Sequence, residues 1–353
     1  MTRVDLVQIG KTFGSTVALD QINLRVESGE LLFLLGPSGC GKSTLLRIIA
    51  GLLEPTSGRI FFDEKDVTRL ATEQRSAVMC FQNYALWPHM TVYQNVAFGL
   101  TLPGQNPSRV EHRVTDALRL VQLEQFAQRK PNALSGGQQQ RAALARAMAV
   151  GPKCLLLDEP LSNLDAKLRN EMRGEIRRIC KSAGYTTIYV THDQKEALSI
   201  ADRIALMQDG RIVQIGTPAD LYYKPRTSFV ADFIGQANLL TGEVEGVSNG
   251  IARVRTSAGT LSAAANGAEE KPAVVVSIRP ERIRIVTAAS PANGSHNHIS
   301  GAILETTFLG EMSEHVVEVT GKRLRVSASP PVLNISGNVN LEIDPADCVL
   351  LPE

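Results

Sequence analysis

No stretch of this sequence can cross a bilayer as a helix: the longest aliphatic run, Leu31 to Leu35, is far short of the roughly 20 apolar residues a span needs. Neither sign of charge dominates, with 37 Lys and Arg against 36 Asp and Glu. No overall field therefore draws the chain to nucleic acid or anionic lipid, and no nucleic-acid partner is expected. Cysteine is sparse: Cys40, Cys80, Cys154, Cys180 and Cys348 form no Cys-x-x-Cys pair and are odd in number. That excludes a disulfide framework and fits a reducing compartment. Nothing before Lys11 is framed like a secretory signal, and internal repeats, heptads and low-complexity tracts are lacking. What remains is an ordinary water-soluble composition, 43% hydrophobic and 21% charged over 353 residues, enough for two or three domains at about 150 residues each.

Up to about Gln236, short β-branched or aliphatic runs alternate with longer helical patterns, as parallel α/β folds do. Leu31 to Leu35, Cys154 to Leu157 and Thr187 to Val190 read as buried strands. Lys42 to Ala50, Arg109 to Leu123, Gly136 to Val150 and Ala166 to Ser182 carry apolar residues at helical spacing. The mostly helical texture from Trp87 to Leu134 predicts a helical subdomain inserted between strands. From about Asn238 the pattern changes to short strands separated by Gly, Pro, Asn or Ser, among them Ile251 to Thr256, Val274 to Ile278, Ile283 to Val286, Ala302 to Thr307 and Val339 to Ile343. These predict an antiparallel barrel or sandwich. Ser257 to Lys271, rich in Ala, Gly and Glu, reads as a surface hairpin loop.

Directly after the Leu31–Leu35 run stands Gly36-Pro37-Ser38-Gly39-Cys40-Gly41-Lys42-Ser43-Thr44, followed by a helical pattern. This is a complete G-x-x-x-x-G-K-[ST] phosphate loop in its strand, loop and helix setting. Its glycines let backbone N–H groups from Gly39 to Thr44 turn onto phosphate oxygens at a helix start. Lys42 is placed to reach β- and γ-phosphates, and the Ser43 hydroxyl to ligate Mg²⁺. The run Cys154–Leu157 ends in Asp158-Glu159-Pro160, carboxylates at the carboxyl end of a parallel strand, where open α/β sheets bind ligands. Asp158 then joins the Mg²⁺ shell and Glu159 polarises an attacking water as general base. Alone, the pair would be a solvated loop; beside the phosphate loop it reads as catalytic. A second glycine-rich helix start, Ser135-Gly136-Gly137-Gln138 after Leu134, offers another anion site. One nucleotide saturates the phosphate loop of its own chain, so this second site is best used on the nucleotide of another subunit.

In their order and spacing these motifs resemble the ATP-binding subunit of an ABC importer, with Walker A at Gly36–Thr44, the signature at Leu134–Gln138 and Walker B ending at Glu159. The resemblance implies roles for further residues. Phe13 matches the aromatic that stacks on adenine; the alternative is a strand aromatic in the core. Gln82 matches the glutamine that touches Mg²⁺ and the water, linking the site to the helical subdomain. Asp165, in Ser162-Asn163-Leu164-Asp165, matches the D-loop aspartate, and Asn163 replaces a common alanine, a variation expected to be silent. His192 matches the switch histidine that contacts the γ-phosphate and orients Glu159. The segment from Gln82 to Gly99 resembles the groove for a coupling helix of the membrane subunit, with Trp87 either its anchor or a core residue. Ser277 to Glu281 and Phe308 to Gly310 resemble landmarks of an OB-like (TOBE) regulatory domain.

The implied architecture is an α/β P-loop NTPase over residues 1–236, with a RecA-like core, an antiparallel β subdomain and a helical subdomain at about 87–150. An all-β OB-like domain follows over 237–353. The implied activity is ATP hydrolysis with Mg²⁺ by a homodimer that sandwiches two ATP molecules. It powers uptake through separate permease subunits at the cytoplasmic face of the inner membrane, with an external solute-binding protein delivering cargo. The segment Phe229 to Leu240 resembles polyamine, ferric-ion or phosphonate importers more than maltose-type sugar importers. Two other classes compete: soluble ABC ATPases of chromosomes or translation, disfavoured by the single cassette and the absent coiled coil, and a non-hydrolysing binding protein, disfavoured by Glu159 with His192.

Overall fold

The computed structural model describes residues 2–101, 105–268, 273–286 and 296–352. The chain divides into two compact units, Met1–Pro218 and Ala219–Glu353.

At the centre of the first unit is a six-stranded sheet in the order Arg211–Gly216, Arg203–Gln208, Leu31–Leu35, Thr186–Val190, Cys154–Asp158, Ala77–Cys80. Leu31–Leu35 runs parallel to both neighbours and is buried along its whole length, which is why it reads as an uninterrupted apolar run rather than an alternating one. Phe33 and Tyr189 stack across the adjacent strands with ring centroids 4.2 Å apart. Parallel strands end their carboxyl termini along one edge, and Gly36, Asp158 and Thr191 emerge together there. The helix Lys42–Ala50 packs Leu45, Leu46, Ile48 and Ile49 into the same core. A four-stranded antiparallel sheet, Thr16–Val26, Val4–Phe13, Ser57–Phe62 and Lys65–Asp66 in that order, shares this core through Ile9, Leu19, Ile22 and Ile60.

Between strands Ala77–Cys80 and Cys154–Asp158 the chain leaves the sheet as the helices Val92–Ala97, Pro107–Leu120 and Gly136–Ala149. All five cysteines are buried free thiols, and burial pushes those of Cys80 and Cys154 up to about 12, so they behave as core residues.

The second unit holds two five-stranded antiparallel sheets whose inner faces share one core, with Val254, Val276, Val317 and Leu341 fully buried. Its first strand, Asn238–Ser248, is preceded by the helices Pro218–Tyr223 and Ser228–Phe233. Buried Arg279 fastens this leading segment. Its guanidinium donates to the carbonyls of Ala231 (2.7 Å), Gln236 (2.9 Å) and Tyr222 (3.0 Å) and lies 4.1 Å over the Tyr222 ring. All three acceptors lie with Arg279 in the second unit.

One expectation needs correction. Within Ser257 to Lys271, residues Gly259–Ala264 form a strand paired along Ile251–Thr256, with Leu261 and Ala263 buried. Alternation of Leu261 and Ala263 with Thr260, Ser262 and Ala264 is a period-two pattern, and the small size of Ala hid it. Residues 269–271 of that stretch lie outside the described residues. Asn297–Phe308 is also longer than the Ala302–Thr307 pattern, because its first half pairs with Gly337–Ile343 and is buried only at alternate positions.

Candidate functional site

Glycines set the path of the phosphate loop. Gly36 and Gly41 hold positive φ, and a Cβ at Gly41 would stand 2.7 Å from the Ala18 carbonyl oxygen, so only glycine fits. The helix Lys42–Ala50 has Gly41 as its N-cap and no side-chain cap. The N–H of Leu45 reaches the Gly41 carbonyl and that of Cys40 donates back to Pro37 at 3.4 Å. Among the described residues the amides of Gly41, Ser43 and Thr44 have no protein acceptor, while that of Lys42 faces the Cys40 thiol. A helix start left in this state is an anion site. Lys42 is buried, with Nζ donating at 2.9 Å to the carbonyls of both Gly36 and Pro37.

Ser43 Oγ donates to Asp158 Oδ1 at 3.1 Å. Burial raises the Asp158 carboxyl above its ordinary range; the Ser43 hydrogen bond opposes the shift and the Glu159 charge adds to it. The charges of Arg47 and Lys42 act against the shift as well. Among the described residues no group of three His, Cys, Asp or Glu side chains could cage a metal. One hydroxyl beside one carboxylate fits instead an ion that leaves its other positions to water and substrate phosphates, as Mg²⁺ does.

Glu159 follows with a left-handed backbone, φ 46°, its N–H tied to the Val190 carbonyl at 2.9 Å. Its two carboxylate oxygens face different partners. Oε1 lies 3.2 Å from His192 Nδ1, and Oε2 lies 3.4 Å from Gln82 Nε2. Lys42, Ser43, Asp158, Glu159, Gln82 and His192 thus converge at one sheet edge within one chain. Phe13 ends the strand Val4–Phe13, 49% exposed with Lys11 Nζ 5.0 Å from its ring. A ring so open is no core residue.

Ser135 to Gln138 stand apart from this cluster. Ser135 caps the helix Gly136–Ala149 in a reciprocal box with Gln138, and no hydrogen bond or ion pair links residues 135–138 to the phosphate loop among the described residues. Gly136 and Gly137 let the helix approach Leu164 and Leu168; a Cβ on Gly137 would meet the Leu168 side chain at 3.1 Å. Asp165 caps the helix Ala166–Ala183 through the Leu168 amide.

Two side chains to which the sequence reading gave no role organise the loops. Asn163 Nδ2 donates to the Gln82 carbonyl at 2.8 Å, so the substitution expected to be silent ties the D-loop to the Gln82 loop, a bond that alanine cannot make. Asp193, next to His192, caps the helix Gln194–Ile200 and pairs with Arg173 at 2.9 Å. An Asp directly before a helical run is a cap signal available in the sequence, whereas the Asn163 bond has no local signature. Further along, Met90, Tyr93, Ala97 and Phe98 line a mainly apolar groove of about 490 Å³. Trp87 stands behind it, its ring 4.1 Å from that of Phe98.

Residues 19–162 match the family described as ABC transporter, and residues 276–351 match the TOBE domain. The chain is 46% identical over 321 residues to a protein of Brucella suis biovar 1 named Fe(3+) ions import ATP-binding protein FbpC, covering 91% of this chain and 89% of that one. It is 46% identical over 320 residues to the spermidine/putrescine import ATP-binding protein PotA of Thermobifida fusca, covering 89% and 83%. The dimeric structure of MJ0796, a bacterial ABC transporter cassette, is similar with a TM-score of 0.54 and 33% identity over 61% of this chain and 98% of that one.

Proposed function

The chain belongs to the ABC transporter family as an importer-type ATP-binding subunit with a C-terminal TOBE domain, and on that premise we propose how its residues divide the work of ATP hydrolysis. The observation that carries the reading is the Glu159 carboxylate, held between His192 and Gln82 beside the Ser43–Asp158 pair. ATP enters at the uncapped start of Lys42–Ala50, where the free amides and Lys42 take its phosphates and Phe13 stacks on adenine. Ser43, Asp158 and Gln82 would hold Mg²⁺, which when bound neutralises charge on the β- and γ-phosphate oxygens. Glu159 takes a proton from water as the water oxygen attacks the γ-phosphorus; the bond to the β–γ bridging oxygen breaks, leaving ADP and phosphate. His192 orients Glu159 through Nδ1 and meets the γ-phosphate with its far edge.

Ser135 to Gln138 and Asp165 complete the site of a second copy, so that two ATP molecules are enclosed between two chains. The groove at Met90, Tyr93 and Phe98 takes a helix of a membrane-spanning permease, and opening and closing of the dimer move that partner. No helix among the described residues is long and apolar enough to cross a membrane. In this reading the pore belongs to the partner, and this subunit works from the cytoplasmic face of the inner membrane. An external binding protein supplies the solute, which we take from the named relatives as ferric ion or a polyamine.

Glu159→Gln tests the chemistry. Removing the base while keeping every phosphate contact is expected to trap an ATP-bound dimer on gel filtration with Mg²⁺. Elution as a monomer at saturating ATP would contradict the assignment.

A further inference from the structure

Tyr84 and Ala85, which follow Gln82 after one intervening residue, both hold left-handed backbone, with φ 59° and 47°. Side-chain-bearing residues rarely adopt this region, and two in succession need support from outside the loop. Arg146 supplies it. Its Nη2 donates to the Tyr84 carbonyl at 2.7 Å and its Nη1 to the Ala85 carbonyl at 2.6 Å. The same guanidinium lies 4.9 Å over the Trp87 ring, which packs on Phe98 of the groove wall. Arg146 itself belongs to the helix Gly136–Ala149 that Ser135 opens.

The partners of Arg146 are thus two carbonyls and a ring, with no carboxylate among them. Arginine's planar fork suits this double contact, and a point-charge ammonium does not. On its other side the Gln82 loop is held by Asn163.

We propose that Arg146 is a positioning residue for hydrolysis: it holds the Tyr84–Ala85 turn, thereby setting Gln82 against Glu159, and it ties that setting to Trp87 behind the groove. The proposal rests on Gln82 and Glu159 acting as described above. Arg146 touches neither nucleotide nor water in this scheme and acts only through Gln82. The loop is held from the D-loop side and from the helix that carries the signature, so a shift of Trp87 by an occupant of the groove reaches Gln82 through one side chain.

Steady-state ATP hydrolysis by the full-length protein tests this, with thermal melting alongside. The set comprises wild type, Arg146→Ala, Arg146→Lys, Trp87→Ala and Gln82→Ala, and Gln82→Ala combined with each of the other three. Arg146→Ala is expected to lower kcat about ten- to a hundredfold, the effect of displacing a reacting group by about 1 Å, with KM for ATP within about twofold. Arg146→Lys should fall between it and wild type. Trp87→Ala should lower kcat about threefold, through the lost ring contact. The discriminating result is that Gln82→Ala absorbs each of these losses, so that the double variants are no slower than Gln82→Ala alone. An unchanged kcat in Arg146→Ala, or losses that multiply in the doubles, would overturn the proposal. If Arg146→Ala does not fold, Arg146→Lys with and without Gln82→Ala decides by the same criterion. Failure of the wild-type protein to hydrolyse ATP at all would instead remove the hydrolytic reading, and this proposal with it.

Discussion

Two helices of this chain begin at glycine-rich loops, and the two beginnings are finished in opposite ways. Lys42–Ala50 starts after Gly41 with no side-chain cap, and the amides of Gly41, Ser43 and Thr44 are left without protein acceptors among the described residues. Gly136–Ala149 starts after Ser135, whose hydroxyl and Gln138 satisfy each other's backbone in a closed box. The local compositions are similar, yet the Lys42 start has no capping side chain, whereas the Ser135 start satisfies the Ser135 and Gln138 amides and leaves those of Gly136 and Gly137 without a protein acceptor among the described residues. An anion motif therefore names a chemistry, and the capping state says how much of it the chain already supplies to itself. On the proposed reading, the amides still open at the signature helix take the nucleotide of a second copy.

The largest effect that separates the two starts is expected from Ser135→Arg. Turnover should fall about 10²–10³-fold, the loss that follows removal of a transition-state donor, while nucleotide binding by the monomer stays within about threefold. Phosphate release and titration with a fluorescent nucleotide measure the two quantities; a parallel loss of binding would erase the asymmetry. Next is Lys42→Ala, which removes charge-assisted hydrogen bonds worth about 1.5–3 kcal/mol and should weaken ATP binding by about ten- to a hundredfold in calorimetry.

The remaining two effects fall on stability and have opposite signs. Ser135→Ala should cost about 1 kcal/mol from the lost cap, a fall of roughly 2–4 °C in the melting of a unit this large. Asp158→Asn should abolish turnover yet raise the melting temperature of the nucleotide-free protein at pH 7. The reason is that burial lifts the Asp158 carboxyl above the 3.8 of the unfolded chain. Between 3.8 and that raised value the folded protein keeps a proton that the unfolded chain releases, so stability falls as pH rises through the window and the deficit persists at neutral pH. The advantage of the asparagine variant should accordingly shrink as pH is lowered through the folded value, which scanning fluorimetry at a series of pH values reads directly. An asparagine variant that melts lower than wild type at pH 7 would show that the Ser43 bond outweighs burial.

The strand–loop–helix around Lys42 was legible because its chemistry is contiguous: an apolar run that must be buried on both faces, a glycine pattern only a close backbone approach requires, then helical spacing from Lys42 to Ala50. Asp158 and Glu159 were legible for the same reason, at the end of a buried strand, whereas His192, two residues past Val190, was marked only by the family resemblance. The Gly259–Ala264 strand was missed because Ala and Ser give little contrast between its inward and outward faces. Asn163 and Arg146 escaped for a different reason. Each donates to backbone carbonyls 81 and about 60 positions away in the chain, and a carbonyl acceptor exists at every residue, so no residue type marks the receiving end. The one available hint was a charged side chain in the otherwise Ala-rich run from Ala142 to Ala149.

Arg279 sets a rule for exchanging parts between genes. Its guanidinium is buried on acceptors contributed by Tyr222, Ala231 and Gln236, so a recombination joint placed after Gln236 would deliver the β sheets with a buried cation stripped of its counterparts, a strongly destabilising state. A joint ahead of Ala219 transfers lock and bolt together. Natural or engineered chimaeras that survive are expected to carry the short helical preface along with the sheets it serves.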